Sequence, residues 1–408
     1  MSDWREVSLQ EITSRIGDGL HGTPKYDDTG QNYFINGNNL SNGKITITKN
    51  TQKVSDDEFK KVRRDLTGRT ILVSINGTLG NVALYNNEKV GLGKSACYIN
   101  INDKVSKNFI RYCIDNPYFL QYADLFATGS TIKNLSLKAI RNFKVNLPPL
   151  PTQQKIAKIL SNYDDLIENN LKRIKLLEES ARLTYEEWFL RFRIDGKKLD
   201  IDSATGLPFG WECKLMKDFG EVVTGKTPST NNESYYGGDI PFVKTPSMHG
   251  NTYTLETEDY LTSLGANSQQ NKFLSKNSLM VSCIGTAGVY SLVAGNCQTN
   301  QQINSIKFYK DEYIFYIYGF AGHLTNVLDA IGSNGATMTN VNKTKFENIK
   351  APMPSIDLLE RFHNTFNSNF ESILNIMKQN QLLKEARDIL LPRLMTGMID
   401  TDELDIAV

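Results

Sequence analysis

The sequence predicts an α+β fold made of two similar β-rich globules, each followed by a long helix. Three observations lead to this prediction. The 408-residue chain repeats itself at about half its length. Short β-type runs separated by Gly and Asn fill the first part of each half. A long segment with heptad spacing then follows a proline-rich stretch in each half, which is typical of a coiled-coil helix.

The internal repeat is carried by several matches in the same order. The run ILVSINGTLG at residues 71–80 matches LMVSCIGTAG at residues 279–288, an offset of 208 (282 − 74). Four further pairs keep this order: Trp4 with Trp211, Thr23-Pro24 with Thr227-Pro228, Gly129-Ser130 with Gly332-Ser333, and residues 147–151 with 351–354. The offsets drift between 203 and 208, as expected where surface loops gain or lose residues. The chain is therefore a tandem duplication with a pseudo-twofold repeat.

The domain boundaries are placed where the sequence changes between short β-type runs and long segments with heptad spacing. We expect globules at residues 1–150 and 210–354, with strands such as Ile45–Thr48 and Thr70–Val73. The first helical segment takes residues 151–193, with its helix from about Gln153 to Phe192. A linker rich in Gly and Asp covers residues 194–209. The second helical segment is predicted at residues 355–393, with its helix from about Ile356 to Leu391, before a tail at 394–408.

Both predicted helices carry a seam of mostly apolar residues spaced alternately by four and three. The seam positions are Ile156, Leu160, Tyr163, Ile167, Asn170, Ile174, Leu177, Ala181, Thr184 and Trp188 in the first helix, and Leu359, Phe362, Phe366, Asn369, Ile373, Ile376, Asn380, Leu383, Arg387 and Leu390 in the second. Asn at such positions is typical of a polar contact that sets register. A duplicated chain satisfies both seams by pairing its helices antiparallel, with one globule at each end. About 40 helical residues span roughly 60 Å, which predicts a spacer between two reading modules. DNA half-sites about 34 Å apart present the same face to such a pair.

Composition excludes several classes of protein. The longest near-apolar run, residues 314–324, is too short to cross a bilayer. The start, MSDWRE, is not typical of a signal peptide, and the five cysteines form no C-x-x-C pair. We therefore expect a cytoplasmic protein without a membrane partner. The net charge of +1 by itself argues weakly against a DNA-binding protein.

Motifs in the helical regions resemble those of the DNA specificity subunits of type I restriction–modification systems. The resemblance lies in PPLPTQQKIA at residues 148–157, EWF at 187–189, GW at 210–211 and LLPRLMTG at 390–397. It covers essentially the whole chain in the order globule, helix, globule, helix. One departure is Glu360, which stands where the first repeat has Gln154.

This resemblance implies a function. Each globule is then a target-recognition domain that reads one half of a bipartite double-stranded DNA sequence. The two helices form the antiparallel coiled coil that sets the half-site separation and docks two modification (methyltransferase) subunits. Restriction subunits complete the nuclease. The chain itself carries no catalytic residue, metal or cofactor, and S-adenosylmethionine, ATP and Mg²⁺ are expected on the partner subunits.

The residues themselves also argue against an active site. Asn116-Pro117-Tyr118-Phe119 lacks the second proline of an adenine methyltransferase motif and is typical of a helix start. Gly93-Lys94-Ser95 lacks the upstream glycine of a P-loop, because residue 88 is Glu. The four histidines, at positions 21, 249, 323 and 363, share no metal-ligand spacing with cysteines or carboxylates.

Candidate DNA contacts are polar residues in the repeated loops. Lys neutralises phosphates, small hydroxyls donate to them, and Asn and Gln amides bond to adenine edges. The candidates are Thr23, Lys25, Asn36, Asn38, Asn39, Thr78, Lys94, Ser95, Ser130, Thr131 and Lys133 in the first half, and Lys226, Thr227, Lys244, Thr245, Thr286, Asn300, Gln301, Ser333, Asn334 and Thr337 in the second. The same residue types are also typical of ordinary turns, so a structural role remains the alternative at each position.

Two other functions stay open at this point: a self-contained nuclease or methyltransferase, and a two-module coiled-coil scaffold that binds protein or glycan. The charge distribution bears on the choice. Residues 1–150 hold 20 Lys and Arg against 14 Asp and Glu, whereas residues 210–354 hold 11 against 12. The near-zero total conceals a basic first globule. We expect the chain alone to hold DNA weakly and to depend on partner subunits for electrostatic attraction.

Overall fold

The structure, a computed structural model, describes residues 4–332 and 339–401. Its contacts divide the chain into two units, Met1–Ile167 with Leu383–Val408, and Glu168–Leu382. Each unit therefore contains one globule and part of both long helices, a division that differs from domains following one another along the chain. No helix in the described part is long and apolar enough to span a membrane.

The first unit contains three main sheets. Its strands are β1 (Arg5–Ser8), β2 (Thr13–Asp18), β3 (Asn32–Ile35), β4 (Leu40–Ser41), β5 (Lys44–Ile45), β6 (Lys53–Val54), β7 (Thr70–Ser74), β8 (Val82–Leu84), β9 (Val90–Leu92), β10 (Ala96–Ile101) and β11 (Lys144–Leu147). The sheet orders are β1-β11, β2-β10-β7-β8 and β6-β3-β9, with β4-β5 as a small hairpin. Most neighbours are antiparallel, but β3 and β9 are parallel.

Four shorter helices and the first long helix complete this part of the chain. They are α1 (Asp56–Val62), α2 (Lys107–Ile114), α3 (Pro117–Phe126), α4 (Leu137–Asn142) and α5 (Leu150–Tyr185). Asn116 caps α3 by accepting a hydrogen bond from the N–H of Tyr118, with Pro117 at the first helical position. The methyltransferase-like motif is thus a helix start, as predicted.

The second globule repeats these sheets. Its strands are β14 (Glu212–Leu215), β15 (Gly220–Thr224), β16 (Tyr236–Val243), β17 (Tyr253–Thr254), β18 (Asp259–Leu261), β19 (Leu279–Ser282), β20 (Ile284–Gly285), β21 (Tyr290–Val293), β22 (Gln298–Thr299), β23 (Ile303–Phe308), β24 (Thr339–Asn340) and β25 (Lys350–Met353). The orders β14-β25, β15-β23-β19-β21 and β18-β16-β22 reproduce those of the first unit, including a parallel pair, β16 with β22. The second of these sheets has an additional fifth strand, β17, which is parallel to β21. The duplication seen in the sequence is therefore a duplication of topology.

The other α-helices in the described part of the chain are α6 (Met216–Phe219), α7 (Thr245–Met248), α8 (Ser263–Asn267), α9 (Glu312–Ala321), α10 (Thr325–Gly332), α11 (Lys343–Glu347) and α12 (Ile356–Met395). Between the globules, β12 (Arg193–Ile194) and β13 (Lys197–Lys198) form a hairpin. Its turn is Asp195-Gly196, both at positive φ, as the tight two-residue hairpin turn requires.

Each globule buries its own ends of the long helices. In the first unit Ile156, Leu160, Leu391 and Leu394 belong to the core around Phe109. In the second, Tyr185, Phe189, Phe362 and Phe370 join the core around Tyr316. Burial of these side chains contributes roughly 1.5–3 kcal/mol each, so helix and globule in each unit share one hydrophobic core.

Within each unit the long helices pair antiparallel. In the first unit Arg387 Nη1 donates to Asp164 Oδ1 at 2.7 Å. In the second, Asn170 Nδ2 donates to Asn380 Oδ1 at 2.9 Å, and the Trp188 ring contacts Phe362. No seam residue is exposed. The half-buried seam residues are Tyr163, Leu177, Thr184, Asn369, Leu383, Arg387 and Leu390. The buried ones are Ile156, Leu160, Ile167, Asn170, Ile174, Ala181, Trp188, Leu359, Phe362, Phe366, Ile373, Ile376 and Asn380.

Several predicted boundaries need correction. The first long helix, α5, begins at Leu150 and ends at Tyr185, and a π-helical turn follows over Glu186–Leu190. This wider turn accommodates an extra residue where Trp188 and Phe189 are buried. The second helix continues through Pro392 to Met395 because Leu391, Leu394 and Met395 are buried in the first unit's core, which outweighs the helix-breaking tendency of proline. Of the strand predicted at residues 45–48, only Ile45 lies in β5.

Candidate nucleic-acid interface

Three candidate loops of the first unit meet at the ends of its parallel strands. Asn36–Asn39 follows β3, and Gly93–Ser95 follows the adjacent β9. The Gly93 N–H donates to Ile35 O at 2.9 Å. The Gly37 N–H donates to Ser95 Oγ at 2.9 Å, and that hydroxyl donates to Asn36 Oδ1 at 3.0 Å. These bonds lock the two loops together.

The loop after β2 joins them. The Leu20 N–H donates to Leu92 O at 2.7 Å. A Cβ at Gly19 would lie 2.2 Å from the same oxygen, so only glycine permits this approach. The loop continues to Thr23 and Lys25, whose side chains are exposed. The Lys25 N–H donates to Glu58 Oε1 at 3.2 Å, which holds the backbone beneath the lysine.

The second unit builds the same arrangement from different residues. Asn300 follows β22, and its N–H donates to Val243 O, the last residue of β16, at 3.2 Å. The Lys226 N–H donates to Thr299 O at 2.9 Å. A Cβ at Gly225 would lie 2.1 Å from Asn300 O, so this glycine corresponds to Gly19. The side chains are not repeated, since Thr227 Oγ1 donates to Gln301 Oε1 at 2.7 Å here.

Two further loops extend this edge in each unit. In the first unit the Ile75 N–H donates to Ser95 O at 2.9 Å, and the Leu135 N–H donates to Ile75 O at 2.8 Å. These bonds bring the loop with Thr78 and the loop with Ser130, Thr131 and Lys133 beside the first three. In the second unit the Cys283 N–H donates to Gln302 O at 2.8 Å and the Val341 N–H to Cys283 O at 2.9 Å. The predicted loops are thus brought together in the first unit, and in the second unit the described ones, with Lys226, Lys244, Thr286 and Gln301, are brought together in the same way.

The exposure of the individual side chains differs. The exposed candidates are Thr23, Lys25, Asn38, Thr78, Lys94, Ser130, Thr131, Lys133, Lys226, Thr286 and Gln301. The half-buried ones are Asn36, Asn39, Ser95, Thr227 and Lys244. Ser333, Asn334 and Thr337 lie outside the described residues. The accessible candidates are concentrated on the first unit's loops.

Two candidates are corrected, because Asn300 and Thr245 are 8% and 7% exposed. The Asn300 amide donates to Gln302 Oε1 and its oxygen accepts from the Gln302 N–H, each at 3.1 Å. Both polar groups are therefore used within the loop. Thr245 is packed at the start of α7. Their roles are structural, because a buried amide or hydroxyl cannot reach a base edge.

Other candidates have internal partners although they are accessible. Asn39 Nδ2 donates to Thr46 O at 3.1 Å. Lys133 Nζ pairs with Asp124 at 2.6 Å, and Lys244 Nζ with Asp259 at 2.5 Å. Exposed pairs of this kind are worth about 0–1 kcal/mol, so a phosphate can replace either carboxylate. Lys25 and Lys94 are exposed on the loops of the first unit.

Sequence reasoning missed the side-chain amides that brace these loops. Gln269 Nε2 donates to Lys226 O at 2.7 Å and to Gln298 Oε1 at 2.8 Å, and both amides are buried. In the first unit Asn76 Nδ2 donates to Asn134 Oδ1 at 3.2 Å. Neither contact has a spacing that reveals it in one sequence. No group of three or more His, Cys, Asp or Glu side chains in the described part is arranged to hold a metal ion.

Comparison with known proteins agrees with this geometry. A family model described as the type I restriction modification DNA specificity domain matches residues 1–179 and 208–380. The specificity subunit of the type I restriction enzyme HindI from Haemophilus influenzae is 27% identical, with 98% of this chain and 100% of that protein covered. The MjaIX specificity subunit from Methanocaldococcus jannaschii is 24% identical, with 98% and 95% covered.

A solved structure gives the same fold. The crystal structure of the type I restriction–modification S subunit from M. genitalium matches with a TM-score of 0.61 at 16% identity, over 96% of both chains. The comparisons do not favour a protein- or glycan-binding scaffold. With two matched domains that account for most of its length, this chain belongs to the family of type I restriction–modification specificity subunits, the non-catalytic components that confer DNA sequence specificity.

Proposed function

We propose that each globule of this subunit reads one half of a bipartite DNA target. In this assignment residues 1–150 and 210–354 are the reading domains, and the helical segments at 151–193 and 355–393 set the distance between half-sites. The edge formed by the candidate loops is the DNA-facing surface of each globule.

The observation that carries this proposal is the repetition of the loop edge with different side chains. The same backbone bonds, from Gly93 to Ile35 and from Asn300 to Val243, assemble the edge in both units. The side chains upon it differ, with Lys25 and Asn38 in the first unit and Thr227 and Gln301 in the second. A conserved scaffold with different polar groups suits two readers of unlike half-sites, because specificity depends on the groups that face the base edges.

The same assignment gives the long helices a docking role. Leucine and isoleucine side chains remain exposed along them: Leu166, Leu171, Leu176 and Leu183 in α5, and Leu382 and Ile389 in α12. Apolar side chains repeated along a helix in this way favour contact with a protein partner. We propose that two modification subunits bind here, that restriction subunits join the complex, and that S-adenosylmethionine, ATP and Mg²⁺ bind to those subunits.

The test begins with the target itself. Sequencing methylated adenines in DNA of the source cell identifies the recognised sequence, and a bipartite motif is expected. Binding of the subunit with its modification subunits is then measured on duplexes in which one base pair is added to or removed from the spacer. One pair shifts a half-site by about 3.4 Å and about 35°, so affinity falls at least tenfold. A duplex with both half-sites scrambled supplies the nonspecific baseline.

Unchanged affinity across the spacer series would contradict the fixed spacing. A continuous, undivided methylated motif would contradict two separate readers.

A further inference from the structure

The second unit contains a cavity of about 690 Å³ between the Glu178 end of α5, α9, α12 and the neighbouring loops. Aromatic side chains form much of its wall: Tyr185, Tyr290, Phe315, Tyr318, Phe362 and Phe370. Its volume lies in the range of pockets that hold small molecules, about 300–1,000 Å³. The cavity is separate from the loop edge assigned to DNA, because none of the candidate DNA contacts lines it.

The side chains of Glu178, Glu179 and Glu186 line this cavity, together with those of Lys175 and Arg182. Glu178 lines it and accepts a hydrogen bond from Thr252 Oγ1, which in turn accepts one from Tyr318 OH at 3.3 Å. Among residues 4–332 and 339–401, Glu178 has no ion pair. The nearby guanidinium of Arg182 pairs instead with Glu186 and Glu179. Burial raises the pKa of the Glu178 carboxyl, since no cation compensates its charge.

In the first unit, a side chain of the protein itself occupies the place that corresponds to this cavity. Tyr112 in α2 and Tyr318 in α9 are 206 residues apart (318 − 112), the offset that also separates Gln154 from Glu360. Asp164 and Phe370 on the long helices have the same offset (370 − 164). In the first unit the buried Arg111 guanidinium lies 4.2 Å from the centre of the Tyr112 ring and pairs with Asp164 and, at 3.1 Å, Asp115.

A second pair of equivalent residues lies on the opposite wall of this space in the two units. The Leu84 N–H donates to Gly43 O, and in the second unit the Leu292 N–H donates to Thr252 O, each at 2.8 Å. Gly43 and Thr252 are therefore equivalent. A Cβ at Gly43 would lie 3.0 Å from Arg111 Cζ, so the guanidinium rests directly on this glycine. Its counterpart, Thr252, is the residue that holds Glu178.

We propose that the cavity of the second unit binds a small organic cation with a guanidinium or primary ammonium head group. The cation takes the place that Arg111 fills in the first unit. Glu178 supplies the charge-assisted hydrogen bond, and the tyrosine and phenylalanine rings supply faces to which cations are attracted. The ligand is a free small molecule, because the cavity volume suits one. Lys175 and Arg182 also line the cavity, but among the described residues neither forms an ion pair with Glu178, and Arg182 pairs with Glu179 and Glu186.

Calorimetric titration of the full chain at pH 8 tests this proposal. The probe is agmatine, which carries a guanidinium and an ammonium group, and the comparison ligand is N-butylurea, a neutral molecule of similar shape. We expect one saturable agmatine site per chain and no heat from N-butylurea. Glu178→Gln removes the charge and weakens agmatine binding by about 10- to 100-fold, the usual range for a charged hydrogen bond.

Two further variants keep the result interpretable. Glu178→Asp keeps the negative charge but shortens the side chain by one methylene. The affinity for agmatine is therefore expected to lie between those of the wild type and Glu178→Gln. Asp165→Asn removes a charge from an exposed position of the same helix and leaves the affinity unchanged. Far-ultraviolet circular dichroism confirms that each variant is folded. The proposal is overturned if agmatine does not saturate a site below about 10 mM, or if Glu178→Gln and Asp165→Asn bind it as the wild type does.

Discussion

The two units use one architecture but fill the junction between globule and helices in opposite ways. In the first unit Asp164 receives hydrogen bonds from Arg111, Arg387 and Tyr112. In the second unit the equivalent of Asp164 is Phe370, whose ring stacks on Phe315 with centroids 4.0 Å apart. An ion-pair network in one copy thus corresponds to an aromatic cluster in the other.

This difference shows which features the duplicated fold requires. The backbone hydrogen bonds that assemble the sheets and loop edges recur in both units, because burying an unpaired N–H or C=O is costly in either copy. The side chains at the junction have only to fill the space and satisfy one another. A buried ion-pair network and a well-packed apolar cluster are often of similar stability, so the copies were free to diverge here.

The largest predicted effect is the loss of stability that follows when Asp164, the carboxylate at the centre of the ionic junction, is removed. Asp164→Ala leaves two guanidinium groups, Arg111 and Arg387, without their shared carboxylate. We expect the first unit to lose about 3–5 kcal/mol of stability, as for other broken buried ion pairs. Peptide-resolved hydrogen exchange measures this separately in the two units. The exposed neighbour supplies the control, Asp165→Ala, and equal exchange in both variants would show that the network contributes little.

The same network should respond to acid. Burial alone would raise the pKa of the Asp164 carboxyl, but the charge of Arg111 and hydrogen bonds from Arg111, Arg387 and Tyr112 hold that pKa below its ordinary value of 3.8. The stabilisation by ionised Asp164 is therefore complete above the unfolded-state pKa and is lost as pH falls through the lower folded-state pKa. We expect the stability difference between wild type and Asp164→Asn to be constant at pH 5–7 and to shrink below about pH 4. A difference that shrinks already between pH 7 and 5 would contradict a lowered pKa.

The next effect concerns the polar contact in the second unit's helix pair. Asn170→Leu removes the donor to Asn380 Oδ1 and leaves a buried amide unsatisfied, at a cost of about 1–3 kcal/mol. Asn380 Nδ2 already has no partner among the described residues, so the double leucine variant is expected to regain this stability. Asn169→Leu, at an exposed position, is the control. A double variant as unstable as the single one would show that the pair contributes more than polar satisfaction.

A fourth prediction compares the two DNA-facing edges. Lys25→Ala and Lys226→Ala are each expected to weaken binding almost uniformly across DNA sequences and to lower the salt slope by about one. The controls are Lys104→Ala and Lys310→Ala, because these lysines follow the far ends of β10 and β23, away from the loops. Binding of the subunit with its partners is measured at several salt concentrations. A loss confined to one base pair would assign that lysine to sequence reading instead.

The smallest predicted effect is a change in the stability of the second unit, and it concerns the carboxylate of Glu178. Because the pKa of Glu178 is raised above its ordinary value of 4.5, the ionised form destabilises the folded unit. Glu178→Gln without ligand is therefore expected to stabilise it at neutral pH, by less than about 1 kcal/mol. This gain disappears as pH falls through the raised pKa, where Glu178 itself becomes neutral. Melting temperatures from pH 4 to 8 test it, and a gain independent of pH would indicate a packing effect.

Much of the fold was predictable because it depends on periodic patterns. The repeat and the heptad spacing predicted two β-rich globules with long helices, and every seam residue is buried or half-buried. The errors arose where tertiary packing overrides local preference. Pro392 should end a helix, yet α12 continues to Met395, and Ile45–Thr48 has β-type residues but is mostly loop. Phe370 lies beside the predicted seam position 369 and is buried because the globule adds a second packing surface.

The candidate site was predictable as a set of loops but not as a set of contacts. Turn residues at repeated positions predicted the loops, and the structure brings those among the described residues to one edge in each unit. Which amides remain available to contact DNA depends on residues that are distant in the sequence. For example, Ser95 donates a hydrogen bond to Asn36, which lies 59 residues away in the sequence. Such long-range pairing has no periodicity, so a single sequence did not reveal that Asn300 and Thr245 are buried.

The sequence by itself determined the duplicated architecture and the family, because heptad seams, repeated glycine turns and helix-terminal motifs are local patterns that any copy of the fold must contain. Only the tertiary structure decided how each junction is filled. Arg111, Asp164 and Arg387 are unremarkable charges in the sequence, and Glu178 is one acid among several on its helix. Folding buries Arg111 and half-buries the other three, and their surroundings decide whether a charge finds a partner within the chain or faces a cavity without one.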